Sequence, residues 1–126
     1  MTEQPVQISE DAQKALFLLQ GFQQQLQSLM IQKETFQIQA IELEKALEEL
    51  EKTKDTEEVF KAVGPILIKS TKKDLQDEMK EKKETVDIRI KTVEKQELEI
   101  KEKMKDAQGD LQKSLEERKE EKGEAS

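Results

Sequence analysis

Ile8, Ala12, Ala15, Leu19, Phe22, Leu26, Leu29, Phe36, Ala40, Leu43, Leu47 and Leu50 follow one another in alternating steps of four and three, with Lys33 the only polar member. That spacing holds one apolar stripe on a single helical face and defines a coiled-coil seam. A second seam, Met79, Val86, Ile90, Val93, Ile100, Met104, Ala107 and Leu111, has the same spacing, with Lys83 and Glu97 as its polar members. Between them, Val59 to Ile68 breaks the pattern around Gly64-Pro65. A chain with two seams and one interruption must turn back on itself, so a long helical hairpin with a small β-like insert at its closed end is expected.

Composition supports an extended molecule. Of 126 residues, 33% are hydrophobic and 40% charged, too few apolar side chains for a compact core of ordinary proportions. Sustained heptads rich in Glu, Lys, Gln, Leu and Ile point to coiled coil instead of disorder.

Helix one is expected over residues 9–53, with Ser9 as N-cap and Glu10 and Asp11 at the positive end of the first turn. Its length corresponds to a rod on the order of 65 Å. Thr71 followed by Asp74 resembles a capping box for a second helix over 72–119, before a charged tail at 120–126. Folded back antiparallel, the helices bring together residues whose numbers add to roughly 125, a register set by knobs-into-holes pairing of the seams. Gly21 and Gly109 then fall in the same distal third, each costing about 1 kcal/mol relative to alanine unless carried on exposed faces at little consequence.

The insert at 58–70 carries β-branched and apolar residues on either side of a Gly-Pro turn signal and reads as a two-stranded hairpin. Ile66 and Ile68 point to one face and Leu67 to the other, so apolar side chains lie on both. A lone hairpin of this kind is marginal in water and its edges invite pairing. Either hairpins of several subunits join into a closed sheet, or the strands cap the end of their own coiled coil.

Chemistry has few candidates. Cysteine and histidine are absent, which removes disulfides, thiolate metal sites, and the commonest general base and imidazole ligand. No phosphate loop, nucleotide fingerprint or calcium loop occurs, and the carboxylates of Glu48, Glu49 and Glu51 sit among lysines on a solvated helical face, with nothing to separate their pKa values. No enzyme activity, cofactor or metal is expected. A net charge of −7 and a pI near 4.9 disfavour nucleic acid and anionic membranes as partners. No apolar run reaches the roughly 18 residues of a membrane span, and the polar start lacks a basic n-region, so a cytoplasmic location is expected.

One feature exceeds what a heptad needs. Ala15-Leu16-Phe17-Leu18-Leu19 is a run of five apolar residues, and Leu16, Phe17 and Leu18 lie off the seam. Steps of about 100° carry apolar surface most of the way round the helix, and such surface marks an interaction site. Leu111 and Leu115 approach the same end, and Met30 and Ile31 extend the strip inward. Its occupant is either another subunit's helix or transiently captured apolar segments of other proteins.

These pieces together resemble the prefoldin family, beta subunits of the archaeal type. The likeness is carried by Gln23-Gln24-Gln25-Leu26-Gln27, by Lys45-Ala46-Leu47-Glu48-Glu49-Leu50, by the insert Val59-Phe60-Lys61-Ala62-Val63-Gly64-Pro65-Ile66-Leu67-Ile68-Lys69, and by Arg89-Ile90-Lys91-Thr92-Val93-Glu94-Lys95-Gln96-Glu97. Phe60 stands where the family more often has tyrosine. The resemblance implies a mainly α fold, a long antiparallel coiled coil whose hairpin joins an oligomeric β-barrel, in a single domain spanning the chain. It implies a hexamer of two alpha and four beta subunits that holds non-native proteins at its coiled-coil tips without ATP and delivers them to a group II chaperonin. On this chain the client surface would be Leu16, Phe17, Leu18, Leu19, Phe22, Leu111 and Leu115, and the oligomerisation residues Val59, Phe60, Val63, Gly64, Pro65, Ile66, Leu67 and Ile68. The competing reading is a structural scaffold with one defined protein partner. A hairpin arm for a polymerase channel or tRNA would want an acidic turn or a basic rod, and this chain has neither.

Overall fold

The computed structural model describes residues 8–124, with side chains from 8 to 117. In order along the chain, α1 covers Glu10–Lys52, β1 Val59–Val63, β2 Ile66–Ser70 and α2 Lys72–Glu124. Among the described residues, contacts divide the chain into two compact units, one formed by residues 8–30 with 95–124, the other by Ile31–Glu94. The irregular start expected for residues 1–8 lies outside the described residues except for Ile8.

Each helix begins on the cap its sequence provides. Ser9 Oγ accepts from the Ala12 N–H at 3.1 Å, and Thr71 Oγ1 accepts from the Asp74 N–H at 3.1 Å, half of the expected capping box. Helix α2 does not stop at 119: it continues to Glu124, so most of the expected charged tail is helical. The reason is propensity, since Glu116-Glu117-Arg118-Lys119-Glu120-Glu121-Lys122 contains only good helix formers.

In the unit of residues 31–94 the helices run antiparallel. Arg89 lies 5.8 Å above the Phe36 ring, Lys83 Nζ pairs with Glu44 at 3.1 Å, and Gln76 donates to Glu51 at 3.4 Å. Leu50, Leu75 and Val86 are buried here, and Phe36, Ala40, Leu43, Leu47, Met79, Lys83 and Ile90 half-buried. The seam of α2 thus begins one step earlier than Met79, at Leu75. The Glu44 carboxylate gives the ammonium at this seam position a partner and holds Lys83 above its ordinary pKa.

In the other unit, Ala12, Ala15, Ile100 and Ala107 are buried and Leu19, Phe22, Leu26, Leu29, Met104 and Leu111 half-buried. Here also α1 and α2 are antiparallel, because Ala15 and Asp110 line one hollow, and Leu29 and Gln96 another. Glu97 is only 5% exposed at its seam position.

Candidate interaction surfaces

The hairpin is built by its turn. Gly64 has φ of 58°, and an added Cβ would meet nothing within 4 Å, so glycine is required for conformation, not for space. Positive φ followed by Pro65, whose ring fixes a negative φ, is the type II′ pattern that matches the twist of paired strands. The antiparallel register pairs Val63 with Ile66, Lys61 with Ile68 and Val59 with Ser70 on one face, and Ala62 with Leu67 and Phe60 with Lys69 on the other. Both faces are therefore apolar, as the alternation predicted.

Neither face is fully covered within the chain. Ile66 is 61% and Leu67 70% exposed, and Phe60, Val63 and Ile68 are exposed to about half, while Val59 is half-buried. The edges are open as well. In a two-residue hairpin the pair flanking the turn exchanges backbone hydrogen bonds, so Phe60 and Ala62 on one edge and Leu67 and Lys69 on the other turn their N–H and C=O groups outward. This is surface and edge prepared for pairing with further strands.

The hairpin is tied to α2 by one lysine whose partner the sequence did not indicate. Lys61 on β1 donates to Glu78 on α2, and Lys82 lies 3.4 Å from the same carboxylate. Lys61 foremost, despite partial desolvation, holds Glu78 below its ordinary value of 4.5. A depressed folded pKa means that the contact stabilises fully above about pH 4.5 and is lost as pH falls through the lower folded value. A carbon-13 titration of the Glu78 carboxyl should give a midpoint below 4.5, and Lys61→Met should move it back up.

Lys72, the first residue of α2, crosses to the end of α1. Its Nζ donates to the Thr53 carbonyl at 2.8 Å and the Glu51 carbonyl at 3.3 Å, lies 3.6 Å from Asp55, and its side chain is only 16% exposed. An ammonium at the positive end of its own helix is poorly placed, whereas at the negative end of α1 it satisfies carbonyls that have no partner within that helix. Lys72→Met keeps the stem and removes the donors. It should lower the stability of the isolated chain by about 1.5 kcal/mol, measured as the shift in urea unfolding.

The second surface belongs to the unit that contains residues 8–30 and 95–117. Phe17 is 76% exposed, and Leu16, Leu18, Leu115 and Met30 are exposed. Leu19, Phe22 and Leu111 are half-buried in the seam beneath them. The site expected from sequence thus has two layers, an outer one of off-seam side chains open to solvent and an inner one that supports the helix pair. Around it α1 is nearly uncharged: Lys14 is its last charge before Lys33. Beside Ala15 and Leu18, the hollow between the helices is lined by Asp11, Lys14, Asp110 and Lys113, a charged boundary to the apolar area.

Among the described residues, no group of His, Cys, Asp and Glu could hold a metal ion, and no helix is long and apolar enough to cross a membrane. What these surfaces offer is apolar contact and strand pairing.

Comparison with known proteins gives the same architecture. Residues 13–118 match the family model described as prefoldin subunit. The chain is 43% identical over 115 residues to prefoldin subunit beta of Archaeoglobus fulgidus, covering 91% of this chain and 96% of that one. It is 38% identical over 108 residues to prefoldin subunit beta of Thermococcus onnurineus, covering 86% and 93%. The crystal structure of the prefoldin beta subunit from a Thermococcus strain superposes with a TM-score of 0.81 at 38% identity, over 86% of this chain and 96% of that one. Two long helices joined by one two-stranded hairpin, with relatives of this kind along nearly all their length, place the chain in the prefoldin family, with the archaeal beta subunits.

Proposed function

We propose that this chain is a subunit of an ATP-independent holding chaperone that binds non-native proteins through the apolar surface around Leu16, Phe17 and Leu18 and transfers them to a group II chaperonin. Membership of the family means a prefoldin chaperone subunit that assembles with other prefoldin subunits. The finer reading is a cytoplasmic hexamer of two alpha-type and four beta-type chains, in which Val59, Phe60, Val63, Ile66, Leu67 and Ile68 close into β-barrels around the Gly64-Pro65 turn.

The observation that carries client binding is the exposure of three consecutive apolar side chains off the seam, at 37%, 76% and 40% for Leu16, Phe17 and Leu18. They lie off the seam, and the absence of charge on α1 from residue 15 to 32 lets them meet apolar segments of any sequence. Leu19, Phe22, Leu111 and Leu115 complete the surface. Each contact is weak alone, and several arms acting together raise retention through effective concentration, so release needs no nucleotide.

The test is light scattering of an unrelated, chemically denatured protein diluted into buffer with the chain and an alpha-type partner, without nucleotide. Suppressed aggregation is expected. An assembled complex that leaves aggregation unchanged would turn the reading to a scaffold with one defined partner.

A further inference from the structure

We infer that the groove between α1 and α2 next to the hairpin is the seat of an adjoining prefoldin subunit, so that the intersubunit contact runs from the strands onto the coiled coil. The inference rests on the assembly described above. The groove, of about 620 Å³, lies within the unit of residues 31–94, floored by Leu43 and Val86 and walled by Gln39, Thr85, Glu81 and Arg89.

Area makes the first argument. A five-residue strand at about 3.4 Å a residue, in a sheet layer about 10 Å thick, presents an edge on the order of 200 Å². Stable interfaces bury roughly 800 Å² on each partner. Edge pairing alone falls short of that area; the exposed hairpin faces add to it, and the groove beside them offers an adjoining subunit further apolar surface.

Continuity makes the second. Glu78, which lines the groove, is the residue that receives Lys61 from the hairpin. The face that carries Lys61 also carries Val63, Ile66 and Ile68, all exposed. Apolar strand surface thus passes across the Lys61–Glu78 pair into a trough with an apolar floor. A body bound to that face meets the groove without leaving the surface.

The character of the groove selects the same occupant. Its walls carry both signs, Glu42, Glu78 and Glu81 against Lys82 and Arg89, which gives no consistent field for nucleic acid. It is an open trough along the helices, suited to a protein surface laid lengthwise, with charged walls that would make a polar rim around an apolar centre.

The chain has no cysteine, so single thiols report without background. Thr85→Cys and Gln39→Cys place one on each wall, and Glu84→Cys places one on α2 outside the groove. On assembly of the full chain with an alpha-type subunit, maleimide labelling at 85 and 39 should slow at least tenfold while that at 84 changes little. Filling the trough with Gln39→Trp should raise the concentration needed for assembly about tenfold or more. An oligomer by light scattering in which 85 and 39 label as fast as in the free chain would overturn the groove contact alone. Absence of any oligomer would overturn the groove contact and the assembly reading together.

Discussion

Replacing Leu16, Phe17 and Leu18 together by serine is expected to abolish most of the chain's capacity to hold an unfolded protein while leaving its oligomer intact. The three side chains are exposed and take no part in the seam, whose nearest members, Ala15 and Leu19, are buried and half-buried. Serine costs the helix only a few tenths of a kcal/mol per site through propensity. What is lost is apolar area available to a client, about 1 kcal/mol for each side chain buried in part, or about 3 kcal/mol per arm. That is on the order of a hundredfold in the affinity of one arm, and more where several arms act together. Light scattering of a denatured client should return toward the level without chaperone, while the mass from chromatography with multi-angle scattering stays that of the parent. A dissociated variant would instead assign Leu16, Phe17 and Leu18 to subunit contact.

Ile66→Glu with Ile68→Glu should have the opposite signature. Both isoleucines lie on the hairpin face that also carries Val63, and both are exposed in the isolated chain. A glutamate there is harmless to the monomer, whose circular dichroism should keep its helix content. In a closed barrel each position loses the roughly 1.5–3 kcal/mol of burying an isoleucine and must also desolvate a carboxylate without a partner. At least 3 kcal/mol in all is more than a hundredfold in association, so the oligomer should dissociate at a concentration a hundredfold or more higher than the parent. Holding activity would then fall through lost multivalency although the apolar tip is untouched. Persistence of the oligomer would show that the hairpin face is not its interface and return the strands to capping their own coiled coil.

The two variants separate the two surfaces. Loss of holding with assembly preserved, and loss of assembly with the tip preserved, are expected of one division of labour: the hairpin counts the arms, and the arms do the binding.

Much of this architecture can be read from residue order. From Ala12 on, the four-three spacing predicts the buried and half-buried seam positions of both helices, because period and burial are the same fact for a helix packed on one side; Ile8, its first member, lies ahead of α1 and is exposed. Gly64-Pro65 between β-branched runs predicts a two-residue turn, because few residues other than glycine tolerate its positive φ. The off-seam run at Leu16–Leu18 stands out for the converse reason, that a heptad has no use for it. Sequence misleads where local rules are weakest: at the end of α2, where a run of charges reads as a tail although its residues are good helix formers, and at Leu75, one step ahead of the first seam residue assigned to α2.

The lysines show the limit. Nothing in the spacing of Lys61 and Lys72 separates them from lysines that only meet water, and although Lys83 stands out as a polar member of the seam, its spacing does not name its partner. Tertiary structure gives each a partner 17 to 39 positions away, Glu78 for Lys61, the Thr53 carbonyl for Lys72 and Glu44 for Lys83. Periodicity, turn chemistry and excess apolar surface are properties of neighbours in the chain, and so the sequence by itself determined the helices, the hairpin and the exposed apolar run at Leu16–Leu18. The cap on α1, the tether of the hairpin and the groove beside it were decided only by the fold, because an ion pair depends on a distance in space that residue order does not contain.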